Sequence, residues 1–154
     1  MVYPKPKSTL PDGARWLGLA GLIPPAWATL TVFANSELRW GAMAIAYAYA
    51  TIIFSFLGGI WWGLALKADR PVLWVYPLAV LPSLIGVATF LPWIWGYVWP
   101  APSMVVLGIG LLASPLVDQG IGRLSPLPDG WLRLRWILSI GLGGMTLLLG
   151  IGAP

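Results

Sequence analysis

The chain has 154 residues, 58% of them hydrophobic and 9% charged, with a mean hydropathy of +0.82; soluble domains carry about 25% charged residues, so most of the outer surface must face lipid. The formal charge of +4 is spread without a basic run, which excludes a nucleic-acid surface and nucleic-acid partners. Cysteine and histidine are both absent, which removes disulfides, thiolate ligands, the usual axial haem ligand and the commonest zinc ligand and general base.

The pattern describes an all-α, polytopic membrane protein of five transmembrane helices: a polar tail over 1–12, then a membrane domain over 13–154 with spans at about 13–34, 40–66, 72–91, 103–118 and 130–151. Leu10-Pro11-Asp12-Gly13 opens the first span, with Asp12 placed as N-cap. Basic residues ahead of an apolar run, followed by Ala26-Trp27-Ala28, imitate a cleavable leader. Pro24-Pro25 breaks that run, so an uncleaved span is expected. Neither proline can donate to the carbonyls of Ala20 and Gly21, which predicts a kink at Pro24 and Pro25.

Residues 40–66 carry no charge and organise the rest. From Trp40 to Trp61 is about 21 steps at ~1.5 Å, or ~32 Å, close to the ~30 Å hydrocarbon thickness, so both Trp are read as headgroup anchors. Ser55, Gly59 and Gly63 recur every four residues and are read as a helix-packing face. Tyr47 and Tyr49 point to nearly opposite sides and need hydroxyl partners away from water, so at least one is expected to contact another helix, a ligand or another subunit. The third span contains Pro77 and Pro82, with a kink expected at Pro82. A divider over 92–102 holds three prolines with Trp93, Trp95, Tyr97 and Trp99, which suits an interfacial loop. The fourth span ends at Asp118, read as solvated at the helix end beside Gln119. Residues 118–130 are a loop by their Gly, Pro and polar content, and Gly141 to Gly144 read as close helix contacts. Leu127-Pro128-Asp129-Gly130 copies the tetrapeptide at 10–13, and each copy is soon followed by Arg-Trp, at Arg15-Trp16 and Arg135-Trp136.

Five spans put the termini on opposite sides. With the N-terminus inside, Lys5, Lys7, Arg15, Lys67, Arg70, Arg123, Arg133 and Arg135 are cytoplasmic and Arg39 is left outside with Glu37 in an exposed turn, so the positive-inside rule predicts N-in, C-out. Away from their ends these spans hold no Asp, Glu, Lys, Arg or His, which argues against a pump, an ion-coupled transporter or an intramembrane protease. No catalytic, cofactor-binding or metal-binding residue is assigned, and no cofactor or enzymatic activity is expected.

The segments Leu17-Gly18-Leu19-Ala20-Gly21-Leu22-Ile23-Pro24 and Ser55-Phe56-Leu57-Gly58-Gly59-Ile60-Trp61-Trp62-Gly63-Leu64-Ala65-Leu66 resemble a bacterial five-span inner-membrane family of unknown function, shared with small mitochondrial transmembrane proteins. The resemblance implies a polar or basic side chain where this chain has Trp61, and it implies no activity. Size, span number and tryptophan content are also similar to the tryptophan-rich sensory proteins, which bind porphyrins and sterols. The resulting expectation is a non-catalytic accessory or assembly subunit of a larger, energy-transducing complex in the bacterial inner membrane, with lipids and other membrane subunits as partners. The alternative is a free-standing binder or carrier of a hydrophobic small molecule such as a porphyrin or quinone, in a cavity at the Pro24-Pro25 or Pro77/Pro82 kinks.

Overall fold

Proline decides the shape of the first span. In the computed structural model, which describes residues 9–35, 37–68, 72–123 and 127–152, α1 (Asp12–Ala20) stops at a turn through Gly21 and Leu22, and α2 (Ile23–Ala34) restarts with Pro24 and Pro25 in its first positions. A missing N–H costs nothing in a first turn, so the prolines are accommodated where the hydrogen-bond ladder is interrupted, while Gly21 and Leu22 keep right-handed helical dihedrals. The carbonyl that Pro25 would have engaged is that of Gly21. It instead accepts the Tyr49 hydroxyl from the neighbouring span at 2.6 Å. Pro11 occupies the N-cap of α1 and no side chain caps it; this corrects the capping role expected of Asp12, which sits inside the first turn and pairs with Arg15 at 3.8 Å.

The remaining helices are α3 (Arg39–Lys67), α4 (Val75–Ile94), α5 (Ala101–Gly122) and α6 (Trp131–Gly152). With α1 and α2 counted as one interrupted span, the protein has five helical segments long and apolar enough to cross a membrane. It is an all-helical integral membrane protein. The fourth span runs four residues past the expected end at 118, because no proline intervenes before Pro126. Pro77 falls in the first turn of α4, while Pro82 and Pro92 lie inside that helix. The N-terminal tail over 1–8 with Lys5 and Lys7, Asp69-Arg70-Pro71 and Pro154 fall outside the described residues.

Helix α3 is the hub, packing on α2, α4, α5 and α6, and the most extensive helix pair is α5 with α6. Glycine allows those close approaches. A Cβ at Gly58 would land on the Ala79 carbonyl oxygen of α4, one at Gly143 would sit 3.0 Å from the Leu112 nitrogen, and one at Gly150 would sit 2.8 Å from that of Val105. Gly59 and Gly63 meet nothing within 4 Å. The tight face inside the bundle is therefore one residue out of register with the expected stripe. Of that stripe, Ser55 alone is joined to another helix, its hydroxyl lying 2.7 Å from that of Ser83.

The helix ends sort into two groups. At one end the two Leu-Pro-Asp-Gly copies lie side by side, with Thr9 bridging Asp129 and the Leu10 N–H donating to the Asp129 carbonyl at 3.3 Å. The repeat is thus one junction that ties the start of α1 to the start of α6. At the other end Asn35 Oδ1 accepts from the N–H groups of Glu37 and Leu38, and Arg39 donates to the Val32 carbonyl. Trp93, Trp95 and Tyr97 are exposed there. Trp99 turns inward instead, stacked edge-on to Tyr47 at 4.9 Å, so packing rather than headgroup contact holds it.

Candidate functional site

Among the described residues two charges lie inside the bundle. Asp118 is 0% exposed and Arg135 is 6% exposed, each one helical turn from the end of its helix, about 6 Å at ~1.5 Å per residue. Arg135 Nε donates to Asp118 Oδ2 at 2.7 Å, the short distance of a charge-assisted bond. Trp61 Nε1 donates to the other carboxylate oxygen at 3.2 Å. These contacts overturn three sequence expectations. Asp118 is not solvated at a helix end, Arg135, counted with the cytoplasmic charges, is buried in the bundle, and Trp61 is a buried donor rather than an anchor. The physical reason is the extension of α5 to Gly122. It carries the carboxylate down to the level of the second turn of α6, where α3 presents the indole.

Proline also explains the next layer. Pro115 leaves the Leu111 carbonyl without its usual helical donor, and the Ser114 hydroxyl takes that acceptor at 2.8 Å. With its single hydrogen committed, Ser114 Oγ only accepts further bonds. It receives Arg135 Nη2 at 3.2 Å and the Ser139 hydroxyl at 3.1 Å. Asp118 has both oxygens occupied, and the guanidinium uses Nε and Nη2. Its Nη1 has no protein acceptor among the described residues. A buried ion pair costs several kcal/mol in desolvation per ion and is weak evidence for stability alone. Inside a membrane such a pair marks a functional site by default.

Arg135 also lines a cavity of about 520 Å³ between α1, α3 and α6, which opens beside the Gly21–Leu22 break. The volume falls within the ~300–1,000 Å³ of small-molecule sites. Apolar side chains dominate the wall, among them Leu17, Leu22, Ile53, Phe56 and Leu138, with Tyr49, Ser139 and Arg135 as the polar members. Leu17 and Phe56 are largely exposed, so the mouth faces the lipid. The covering helix α1 has no buried residue. Trp131, on the same helical face as Arg135 and Ser139, also lines the cavity, and its indole N–H is buried without an acceptor among the described residues.

A second hollow of about 590 Å³ lies between α3 and α4, lined by Tyr47, Thr51, Ser55, Ser83 and Phe90 among others. Each of its hydroxyls has a partner, Tyr47 in Thr89 and Gly86, Thr51 in the Tyr47 carbonyl, and Ser55 in Ser83. Among the described residues no three His, Cys, Asp or Glu side chains gather as metal ligands do.

Of the kink, packing and interfacial positions singled out from sequence, none lines the α1–α3–α6 cavity; Pro24 and Pro25 follow closely in sequence on Gly21 and Leu22, which do, while Pro82 and the 93–99 aromatics are absent from its wall. The ion pair was missed because the fourth span was ended at its first charged residue. The available signal was the unbroken run from Asp118 to Gly122, which holds no proline.

No solved structure matches this chain. It is similar to Transmembrane protein 69 of Xenopus tropicalis, 29% identical over 133 residues that make up 84% of this chain and 50% of that protein, so the chain spans about half the length of that relative. Residues 10–151 match the model of the family described as Protein of unknown function (DUF3429), and the chain belongs to that family.

Proposed function

We propose that this protein is a non-catalytic binder of a hydrophobic small molecule, of the size of a quinone, a single-chain lipid or a small porphyrin, which enters from the bilayer. The observation that carries this reading is the cavity between α1, α3 and α6, with a lipid-facing mouth and Arg135 in its wall. Both Asp118 oxygens accept a bond, and the single hydroxyl hydrogens of Ser114 and Ser139 are committed within the network. That favours binding over turnover. Filling the cavity tests the proposal. Gly18→Leu and Ile53→Trp place bulk in its wall, and each should abolish co-purification of lipid-extractable small molecules while leaving the protein monodisperse. Unchanged ligand retention in both variants would refute it.

The membrane is proposed to be a bacterial inner membrane, with the N-terminus and the 118–135 segment in the cytoplasm, because the basic residues gather at that end. A phosphatase fused within 123–130 should be inactive and one fused at Pro154 active; the reverse pattern would invert the orientation. A second reading, a subunit of a larger membrane complex, is favoured by Gly59 and Gly63, small residues on α3 where an added Cβ would meet no described residue within 4 Å.

A further inference from the structure

We propose that the cavity recognises an uncharged hydrogen-bond acceptor, a carbonyl on a hydrophobic body such as a quinone or an ester, and that Arg135 Nη1 is the donor. This deepens the binding reading above and rests on it.

Arg135 is more than nine-tenths buried, lines the cavity, and keeps a side-chain exposure of 7%. Its Nε and Nη2 are committed to Asp118 and Ser114. Among the described residues Nη1 makes no hydrogen bond, so it is the guanidinium nitrogen left for a guest. The bond to Asp118 makes the pair neutral as a unit. A carboxylate or phosphate entering beside it would gain the guanidinium but meet the Asp118 charge across a poorly screened interior. It would also have to shed its own hydration, which is far costlier for an ion than for a carbonyl. An uncharged acceptor meets neither penalty and still gains a bond from a charged donor. The plane of the guanidinium is held by Asp118 on one edge and Ser114 on another, and Ser114 is itself fixed by the carbonyl that Pro115 frees. The donor is thus oriented before the guest arrives, which lowers the ordering cost of binding. The apolar body would lie along Leu17, Leu22, Ile53 and Leu138.

The test uses the full chain in nanodiscs of ether-linked phosphatidylcholine, whose lipids lack ester carbonyls. Retention of four radiolabelled probes is measured against empty discs at alkaline pH: methyl palmitate, decylbenzoquinone, palmitate and hexadecane. At least one of the two carbonyl probes should be retained about 10–100-fold more strongly than hexadecane, the worth of one hydrogen bond to a charged group, and more strongly than palmitate. The better of the two identifies the source as an ester lipid or a quinone. Arg135→Lys keeps a charge partner for Asp118 but removes the planar fork, and should bring the carbonyl-to-hexadecane ratio to about one. The ranking on the unaltered protein stands even where that variant fails to fold. Palmitate retained above both carbonyl probes would overturn the proposal in favour of an anion site. Hexadecane retained as well as the carbonyl probes would overturn it while leaving the hydrophobic cavity reading intact. No probe retained above empty discs would remove both.

Discussion

Replacing Arg135 by Ala is expected to cost about 3–5 kcal/mol of stability, the range for breaking a buried ion pair from one side. The loss arises less from the attraction forgone than from the charge left behind. Asp118 would remain fully buried with only the Trp61 indole to solvate it. Asp118→Ala should cost a similar amount, because it strands the guanidinium among Ser114 and apolar neighbours. The double variant Asp118→Leu/Arg135→Met removes both charges and keeps the volume, and it should recover most of the wild-type stability. Unfolding midpoints of the four proteins in one mild detergent give the coupling. Single variants that each cost as little as the double would show that the pair is energetically idle. Trp61→Phe keeps the ring but removes one donor, and about 1.5–3 kcal/mol is expected for a bond to a charged group.

Gly58→Leu should be the most damaging glycine substitution on α3, costing about 3 kcal/mol or more. Overpacking a close core costs ~1–3 kcal/mol where side chains can yield. Here the obstruction is the backbone carbonyl of Ala79, and the only relief is to push α4 away from α3. Gly59→Leu and Gly63→Leu should leave the isolated chain unaffected, since neither position has a neighbour within 4 Å. Thermal stability in detergent separates the two groups. A Gly59 variant as unstable as the Gly58 variant would mean that the α3–α4 seam is misplaced. A Gly59→Leu protein that is stable alone but loses a larger native-membrane assembly would favour the subunit reading.

The helical membrane architecture was legible because it follows from local quantities. Apolar runs of bilayer length, their Pro and Gly dividers and the scarcity of charge dictate five spans whatever their neighbours do. The break near Pro24 and Pro25 was also legible, since a missing N–H is a property of the residue itself. The stripe on α3 shows the limit. Spacing of four identifies a face but not what lies opposite, and Gly58 differs from Gly59 only in which of them points at α4.

What the sequence by itself determined is the class of object: an integral membrane bundle of five helical spans, with no histidine or cysteine in the chain and with the regular helix of the first span disturbed near its prolines. The tertiary structure alone decided which residues meet. Asp118 and Arg135 are 17 positions apart, and Trp61 is 57 positions from Asp118; no periodicity within a single helix encodes contacts at such separations. The same holds for the Tyr49 hydroxyl on the Gly21 carbonyl, 28 positions away. An unmet carbonyl or charge can be foreseen from local chemistry. The group that satisfies it comes from another helix, and in lipid that choice is made by close packing rather than by a hydrophobic pattern.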